Sequence, residues 1–161
     1  MRENQMSLTV SGVIFLLVVG GFVYITMNKD KMSGEESQTM EENYMTNVQQ
    51  VEGVKMTTLK DGEGDMAKSG DTVAVNYTGT LLDGTVFDSN IDEKFGHIEP
   101  LVFTIGSGQV IRGWDIGIEG MMVGEKRMLE IESDYAYGPN QYGPIPPNAT
   151  LVFEVELLEI R

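Results

Sequence analysis

Residues 72–81 read TVAVNYTGTL, a stretch in which apolar and polar side chains alternate. In an extended chain, successive side chains point to opposite faces, so Val73, Val75 and Tyr77 share one face. The polar residues between them share the other. This pattern predicts a β-strand with one buried face and one solvated face.

Further segments repeat this alternation on both sides of residues 72–81. Residues 151–157 show it most clearly and residues 126–132 repeat it, whereas residues 54–59 and 101–105 are weaker. Turn-forming pairs separate them at Asp61-Gly62, Asp83-Gly84 and Val123-Gly124. We therefore expect an antiparallel sheet.

Only residues 112–121 have helical spacing, with Trp114, Ile118 and Met121 on one side. Glycines at 113, 117 and 120 weaken such a helix by up to about 1 kcal/mol each. We expect a short helix that persists because it packs across the concave face of the sheet.

Composition excludes several classes of function. The chain has 161 residues, no cysteine and a net charge of −14, from 25 acidic and 11 basic residues. Without cysteine, disulfides and thiol chemistry are excluded. The negative field repels phosphate backbones, so nucleic acid is not expected as a partner.

The N-terminal part predicts a membrane anchor. Residues 8–27 form a run of twenty residues without a formal charge, long enough as a helix to cross a bilayer core of about 30 Å. The competing interpretations are a cleaved signal peptide and a buried core helix. We expect residues 1–27 to hold a single transmembrane helix, with the rest of the chain on the extracytoplasmic side.

Residues 28–50 are polar and acidic, and they predict a flexible or partly helical linker because they bury too little to offset their ordering entropy. The functional domain is therefore expected over residues 51–161. It carries 19 acidic and eight basic residues, a net charge of −11.

Two motifs indicate an aromatic cup for an apolar ring. They are Val110-Ile111-Arg112-Gly113-Trp114 and Asp134-Tyr135-Ala136-Tyr137-Gly138, the latter followed by a Gly/Pro-rich loop. No strong nucleophile or metal-ligand set accompanies them. His97, the single histidine, is expected to be a solvated loop residue.

The domain resembles the FKBP-type peptidyl-prolyl cis/trans isomerases. Beside the two motifs above, the resemblance rests on residues 75–79 (VNYTG), 83–89 (DGTVFDS) and 145–153 (IPPNATLVF). It implies an α+β fold, a twisted antiparallel half-barrel sheet wrapped around one short α-helix, with a proline-binding pocket between them.

The resemblance also implies the residues of that pocket. The expected catalytic residues are Tyr77, Asp88, Ile111 and Tyr137. The expected substrate-binding residues are Phe87, Leu101, Val110, Trp114, Ile145 and Phe153. Asp88 has the alternative structural role of pairing with Arg112 or capping the turn after Phe87.

The implied activity is catalysis of X-Pro bond rotation during protein folding, without a cofactor or metal. The implied partners are proline-containing unfolded or partly folded polypeptides and, as ligands, macrolide inhibitors. Leu101 stands where family members commonly have an aromatic residue, which is expected to weaken stacking on flat ligands. The alternative function is a membrane-tethered, non-catalytic module or chaperone that binds proline-containing peptides.

Overall fold

The computed structural model describes residues 48–161 in full and, before them, only the backbone of two short strands. Those two, β1 (Phe15–Val19) and β2 (Phe22–Thr26), pair antiparallel. The fully described part contains one helix of the α type, α1 (Arg112–Ile118), and seven strands. These are β3 (Val48–Val51), β4 (Val54–Lys60), β5 (Thr72–Leu81), β6 (Val86–Ser89), β7 (Leu101–Thr104), β8 (Lys126–Ile131) and β9 (Leu151–Ile160).

The seven strands form one antiparallel sheet in the order β3-β4-β8-β9-β5-β6, and β7 pairs with β5 as well. The predicted antiparallel sheet with one short helix is confirmed. All five predicted strands are present, as β4, β5, β7, β8 and β9. The short strands β3 and β6 were not predicted because neither alternates buried and exposed residues. Since β3 begins at Val48, the sheet includes residues assigned to the linker.

Two short strands, β6 and β7, pair with the same edge of β5. Residues 72–75 pair with β7, and residues 78–80 pair with β6. The gap between them is closed by the buried side chain of Asn90, which accepts from the Tyr77 N–H at 2.7 Å and donates to the Val75 carbonyl at 3.0 Å. The loop that joins β6 to β7 is thereby fixed beside Tyr77.

Helix α1 packs closely against the sheet through glycine. A Cβ at Gly117 would lie 2.7 Å from Leu129 Cδ1, and one at Gly113 would lie 2.7 Å from Ile131 Cδ1. Trp114, Ile118 and Met121 are buried as predicted, but the helix ends at Ile118 rather than at Met121. Gly120 has a φ of +81°, a left-handed conformation that is incompatible with continuing the helix.

The predicted membrane helix over residues 8–27 lies partly outside the described residues. Where the backbone is described, in β1 and β2, it is extended and not helical, so the helical prediction is wrong for these segments. Valine, isoleucine and aromatic residues dominate both segments, and these residue types favour strands. Among the described residues, no helix has the length and apolar character needed to cross a membrane. The predicted linker lies outside the described residues up to residue 47.

Candidate active site

A cavity of about 340 Å³ opens between α1, the sheet and the loops after β7 and β8. Its floor is Trp114, whose indole is 3% exposed. The cavity is lined by Tyr77, Phe87, Asp88, Leu101, Gln109, Val110, Ile111, Trp114, Tyr137, Tyr142 and Phe153.

The aromatic side chains of the cavity meet edge to face. The Trp114 ring centroid lies 5.1 Å from that of Tyr77 at 80° and 5.2 Å from that of Phe153 at 90°. Phe87 meets Phe153 at 5.5 Å and 89°. Edge-to-face pairs at these distances are favourable and restrict ring rotation, so the apolar wall of the cavity is preorganised.

Gly79 permits this packing. A Cβ there would lie 2.7 Å from Phe87 Cζ and 2.8 Å from Phe153 Cε1. Any larger residue would push one of the two rings into the cavity.

Asp88 is the one acidic side chain among the described lining residues. Its Oδ2 accepts from the Tyr77 hydroxyl at 2.7 Å, and its Oδ1 accepts from the Ser89 N–H at 2.9 Å. Burial raises the pKa of Tyr77 well above its ordinary value, and the hydrogen bond to the Asp88 carboxylate raises it further. Tyr77 therefore remains a donor throughout the physiological pH range, and it fixes the carboxylate.

Two hydrogen-bond donors line the cavity without protein acceptors. In the part of the chain that the structure describes, no acceptor is found for the Ile111 N–H or the Tyr137 hydroxyl. The Tyr137 ring stacks on Tyr142, with centroids 4.3 Å apart at an angle of 8°. Burial raises the pKa of Tyr137, and Tyr142 and Asp88 raise it further. Both groups are available to donate to a ligand carbonyl.

The sequence profile of a family described as FKBP-type peptidyl-prolyl cis-trans isomerase matches residues 64–158, more than half of the chain. The chain belongs to this family. It is a peptidyl-prolyl cis-trans isomerase.

Several known proteins are similar in sequence to this FKBP-type isomerase. FK506-binding protein 1 of Rhizopus delemar is 51% identical over 111 residues, which make up 68% of this chain and 99% of that protein. The peptidyl-prolyl cis-trans isomerase of Schizosaccharomyces pombe is 50% identical over 111 residues, or 68% of this chain and 96% of that protein. FK506-binding protein 4 of Aspergillus oryzae is 45% identical over 130 residues, so the match spans only 27% of that larger protein.

Nine of the ten site residues predicted for this FKBP-type isomerase line the cavity. The exception is Ile145, which is 3% exposed and packs in the hydrophobic core, with its backbone bridged to Tyr142. The prediction that Ile145 contacts the substrate is therefore wrong for this cavity, because its side chain is in the core and not in the lining. The roles assigned to the other nine remain predictions.

The predicted pairing of Asp88 with Arg112 is wrong. The Arg112 guanidinium donates to Glu52 at 2.6 Å and lies over the Tyr135 ring, because the turn between β3 and β4 brings Glu52 to it. Asp88 accepts from the adjacent Ser89 N–H within β6, and its alternative role of capping the turn after Phe87 stays a prediction.

Sequence reasoning missed three residues at the site of this isomerase. Gln109 and Tyr142 line the cavity, and His97 contacts Asp88, with Nε2 3.1 Å from Oδ1. His97 is an exposed loop residue, as expected, but its contact with Asp88 was not expected. Its status as the single histidine was a usable signal, as was the aromatic character of Tyr142 in the Gly/Pro-rich loop.

Proposed function

We propose that this isomerase rotates X-Pro bonds within the cavity floored by Trp114, with the prolyl ring packed against the indole. The barrier arises from the partial double-bond character of the amide and amounts to about 18–20 kcal/mol. Because rotation makes and breaks no covalent bond, no nucleophile is needed. An environment that favours the twisted amide over the planar one is enough.

The apolar wall supplies the first part of that preference. The planar amide has the larger charge separation, so a water-poor aromatic cavity disfavours it relative to the twisted geometry. A ten-thousandfold acceleration requires a differential of about 5.5 kcal/mol. Burial of the prolyl ring together with a few oriented polar contacts is of the right size to provide it.

The polar groups supply the second part. The Ile111 N–H and the Tyr137 hydroxyl donate to substrate carbonyls and hold the peptide on one side of the bond while the other side turns. Asp88, held by Tyr77, faces the twisting amide. It acts by its charge and position and does not remove a proton.

The observation that carries this proposal is the juxtaposition of one fixed carboxylate with a preorganised aromatic wall. Tyr77 belongs to both, because its ring meets Trp114 and its hydroxyl binds Asp88. A cavity that only bound apolar ligands would not require a carboxylate at its edge.

The proposal is tested with the full-length chain in detergent, by NMR exchange spectroscopy on a blocked peptide with an apolar residue before proline. We expect Trp114→Leu and Asp88→Val each to lower kcat/KM about tenfold or more, the effect of misplacing a positioning group. Leu129→Ala is the control, because it removes a buried side chain behind α1 without touching the cavity and should reduce stability while retaining activity. A wild-type chain that binds the peptide but leaves its exchange rate unchanged would instead indicate a non-catalytic binding module.

We further propose that the isomerase is tethered to a membrane, on the extracytoplasmic side, and assists the folding of proline-containing chains there. The apolar, uncharged composition of residues 8–27 supports the tether, whatever backbone conformation the run adopts at the membrane. The FK506-binding names of the relatives support macrolides as ligands of the same cavity. Leu101 at its wall, 36% exposed, is expected to lower that affinity because it cannot stack.

Fractionation and protease accessibility test the tether. Deletion of residues 8–27 should release the chain from the membrane fraction, and protease added to intact cells should digest the domain of the undeleted chain. A deleted chain that stays with membranes contradicts the tether. Digestion only after permeabilisation contradicts the orientation.

A further inference from the structure

His97 lies at the edge of the cavity, on the loop between β6 and β7, with each ring nitrogen facing an oxygen. Nδ1 is 3.1 Å from the Phe95 carbonyl oxygen, and Nε2 is 3.1 Å from Oδ1 of Asp88. The Tyr77 hydroxyl oxygen is 3.4 Å from Nε2, but its hydrogen is directed to Asp88 at 2.7 Å. None of these three oxygens offers a hydrogen to the ring.

This geometry suits only one protonation form of the imidazole. A neutral imidazole carries one N–H, so one of its nitrogens would present a lone pair to an oxygen lone pair. The imidazolium carries two N–H groups and donates to both Phe95 and Asp88. When the imidazolium is the donor, the hydrogen bond from His97 to Asp88 is charge-assisted.

No other cation of the described chain competes for Asp88. Lys94, on the same loop, is paired with Asp92 at 2.7 Å and lies over the Phe95 ring. The titratable groups that face the His97 ring are Asp88 from β6 and Tyr77 from β5. Glu93 and Glu99 flank His97 in sequence, but neither contacts its ring in the structure.

We propose that His97 is a positioning residue for Asp88 and makes the isomerase pH-sensitive. This inference rests on the proposed function of the cavity. As an imidazolium, His97 holds Oδ1 while Tyr77 holds Oδ2, so that both oxygens of the carboxylate are fixed by side chains. When His97 loses one proton, its charge is lost and its one remaining N–H can donate to Asp88 or to Phe95 but not to both, so the hold on Oδ1 weakens while the Tyr77 hydroxyl and the Ser89 N–H stay in place.

The sign of the pH dependence follows from this arrangement. The His97 side chain is 47% exposed, so its proton exchanges freely with solvent. Histidine is the side chain type whose charge ordinarily changes between about pH 5 and 8. Activity should be highest with His97 protonated and should fall as pH rises.

The test measures kcat/KM of the full-length chain by NMR exchange, from pH 5.5 to 8, on a blocked X-Pro peptide without titratable groups. Wild-type activity should fall about two- to fivefold, the modest effect expected of a partly exposed ion pair. Glutamine donates a hydrogen bond but does not titrate, so kcat/KM of His97→Gln should not vary with pH and should lie near the wild-type value at pH 8. Arginine is a permanent cation, so kcat/KM of His97→Arg should not vary with pH and should lie near the wild-type value at pH 5.5.

Lys94→Gln is the matched control, because it removes a charge from the same loop without touching Asp88 and should keep the wild-type profile. A flat wild-type profile, or a His97→Gln variant that follows the wild-type curve, overturns this inference alone. A wild-type chain that fails to accelerate exchange at any pH overturns the proposed function, and this inference with it.

Discussion

Tyr77 interacts with its neighbours through its backbone, its ring and its hydroxyl. Its backbone N–H is held by Asn90, its ring meets Trp114 and Phe153, and its hydroxyl binds Asp88. The alternation of apolar and polar residues along β5 predicted that the Tyr77 side chain lies on the buried face of the strand. The bond to Asp88 was not predictable from that pattern, because it depends on how β6 pairs with β5.

Replacing Tyr77 with phenylalanine should change stability at alkaline pH. The pKa of Tyr77 is raised in the folded chain, so its contribution is fully present below the unfolded value of about 10. Above that pH the unfolded chain releases its proton first, and the free energy of unfolding falls. Urea unfolding between pH 8 and 11 should show a smaller fall in Tyr77→Phe than in the wild type.

Tyr142→Phe is the control for this experiment, since it removes the same hydroxyl from a residue that is 60% exposed. Equal slopes in wild type and Tyr77→Phe would show that the Tyr77 hydroxyl is not selectively protected in the folded chain.

At the scale of elements, the junction of β5, β6 and β7 depends on one buried amide. Asn90 is 1% exposed and bonds to Tyr77 and Val75 on β5 and, at 3.1 Å, to the Glu99 carbonyl near the end of its own loop. Its hydrogen bonds occupy the part of the β5 edge that lies between the residues paired with β6 and those paired with β7. The loop carrying His97 is therefore tied to β5 at both ends.

Asn90→Ala should destabilise the domain by about 3 kcal/mol, since each buried backbone group left unpaired costs about 1–3 kcal/mol. Urea unfolding at pH 7 measures the loss. Asn76→Ala makes the same chemical change on β5, at a side chain with no hydrogen bond in the structure, and should cost under about 0.5 kcal/mol. Similar losses in the two variants would contradict the role of Asn90.

At the scale of the whole molecule, a buried ion pair joins the helix to the sheet. Arg127 on β8 binds Glu125 at 2.7 Å and donates to the Gly117 carbonyl at 2.8 Å, at the end of α1. Glu125 also accepts from the Met122 N–H at 2.9 Å. Because α1 carries Trp114, this pair positions the cavity floor from the opposite end of the helix.

Arg127→Met should cost about 3–5 kcal/mol, because it leaves the Glu125 carboxylate buried without its cation. Arg112→Met is the matched control, since that guanidinium pairs with Glu52 at the surface, and it should cost at most about 1 kcal/mol. Guanidinium chloride unfolding compares the two variants. Equal costs would show that burial of the Arg127 pair has no structural consequence.

The sequence by itself determined the local elements of this protein. The alternation in β5, β8 and β9, and the turn at Asp83-Gly84, depend only on neighbours in the chain, so they could be predicted before any contact was known. Eight of the nine predicted residues that line the cavity lie in the motifs that carry the family resemblance, and Leu101 is the ninth.

Only the tertiary structure decided which side chains meet. The contact of His97 with Asp88, the bonds from Asn90 to β5 and the burial of Ile145 in the hydrophobic core depend on distances between segments apart in sequence. The alternation of apolar and polar residues carries no information about such distances, because the same alternation is compatible with many ways of pairing the strands. Strand register and loop path bring these groups within hydrogen-bonding range, and those arise from packing of the whole chain.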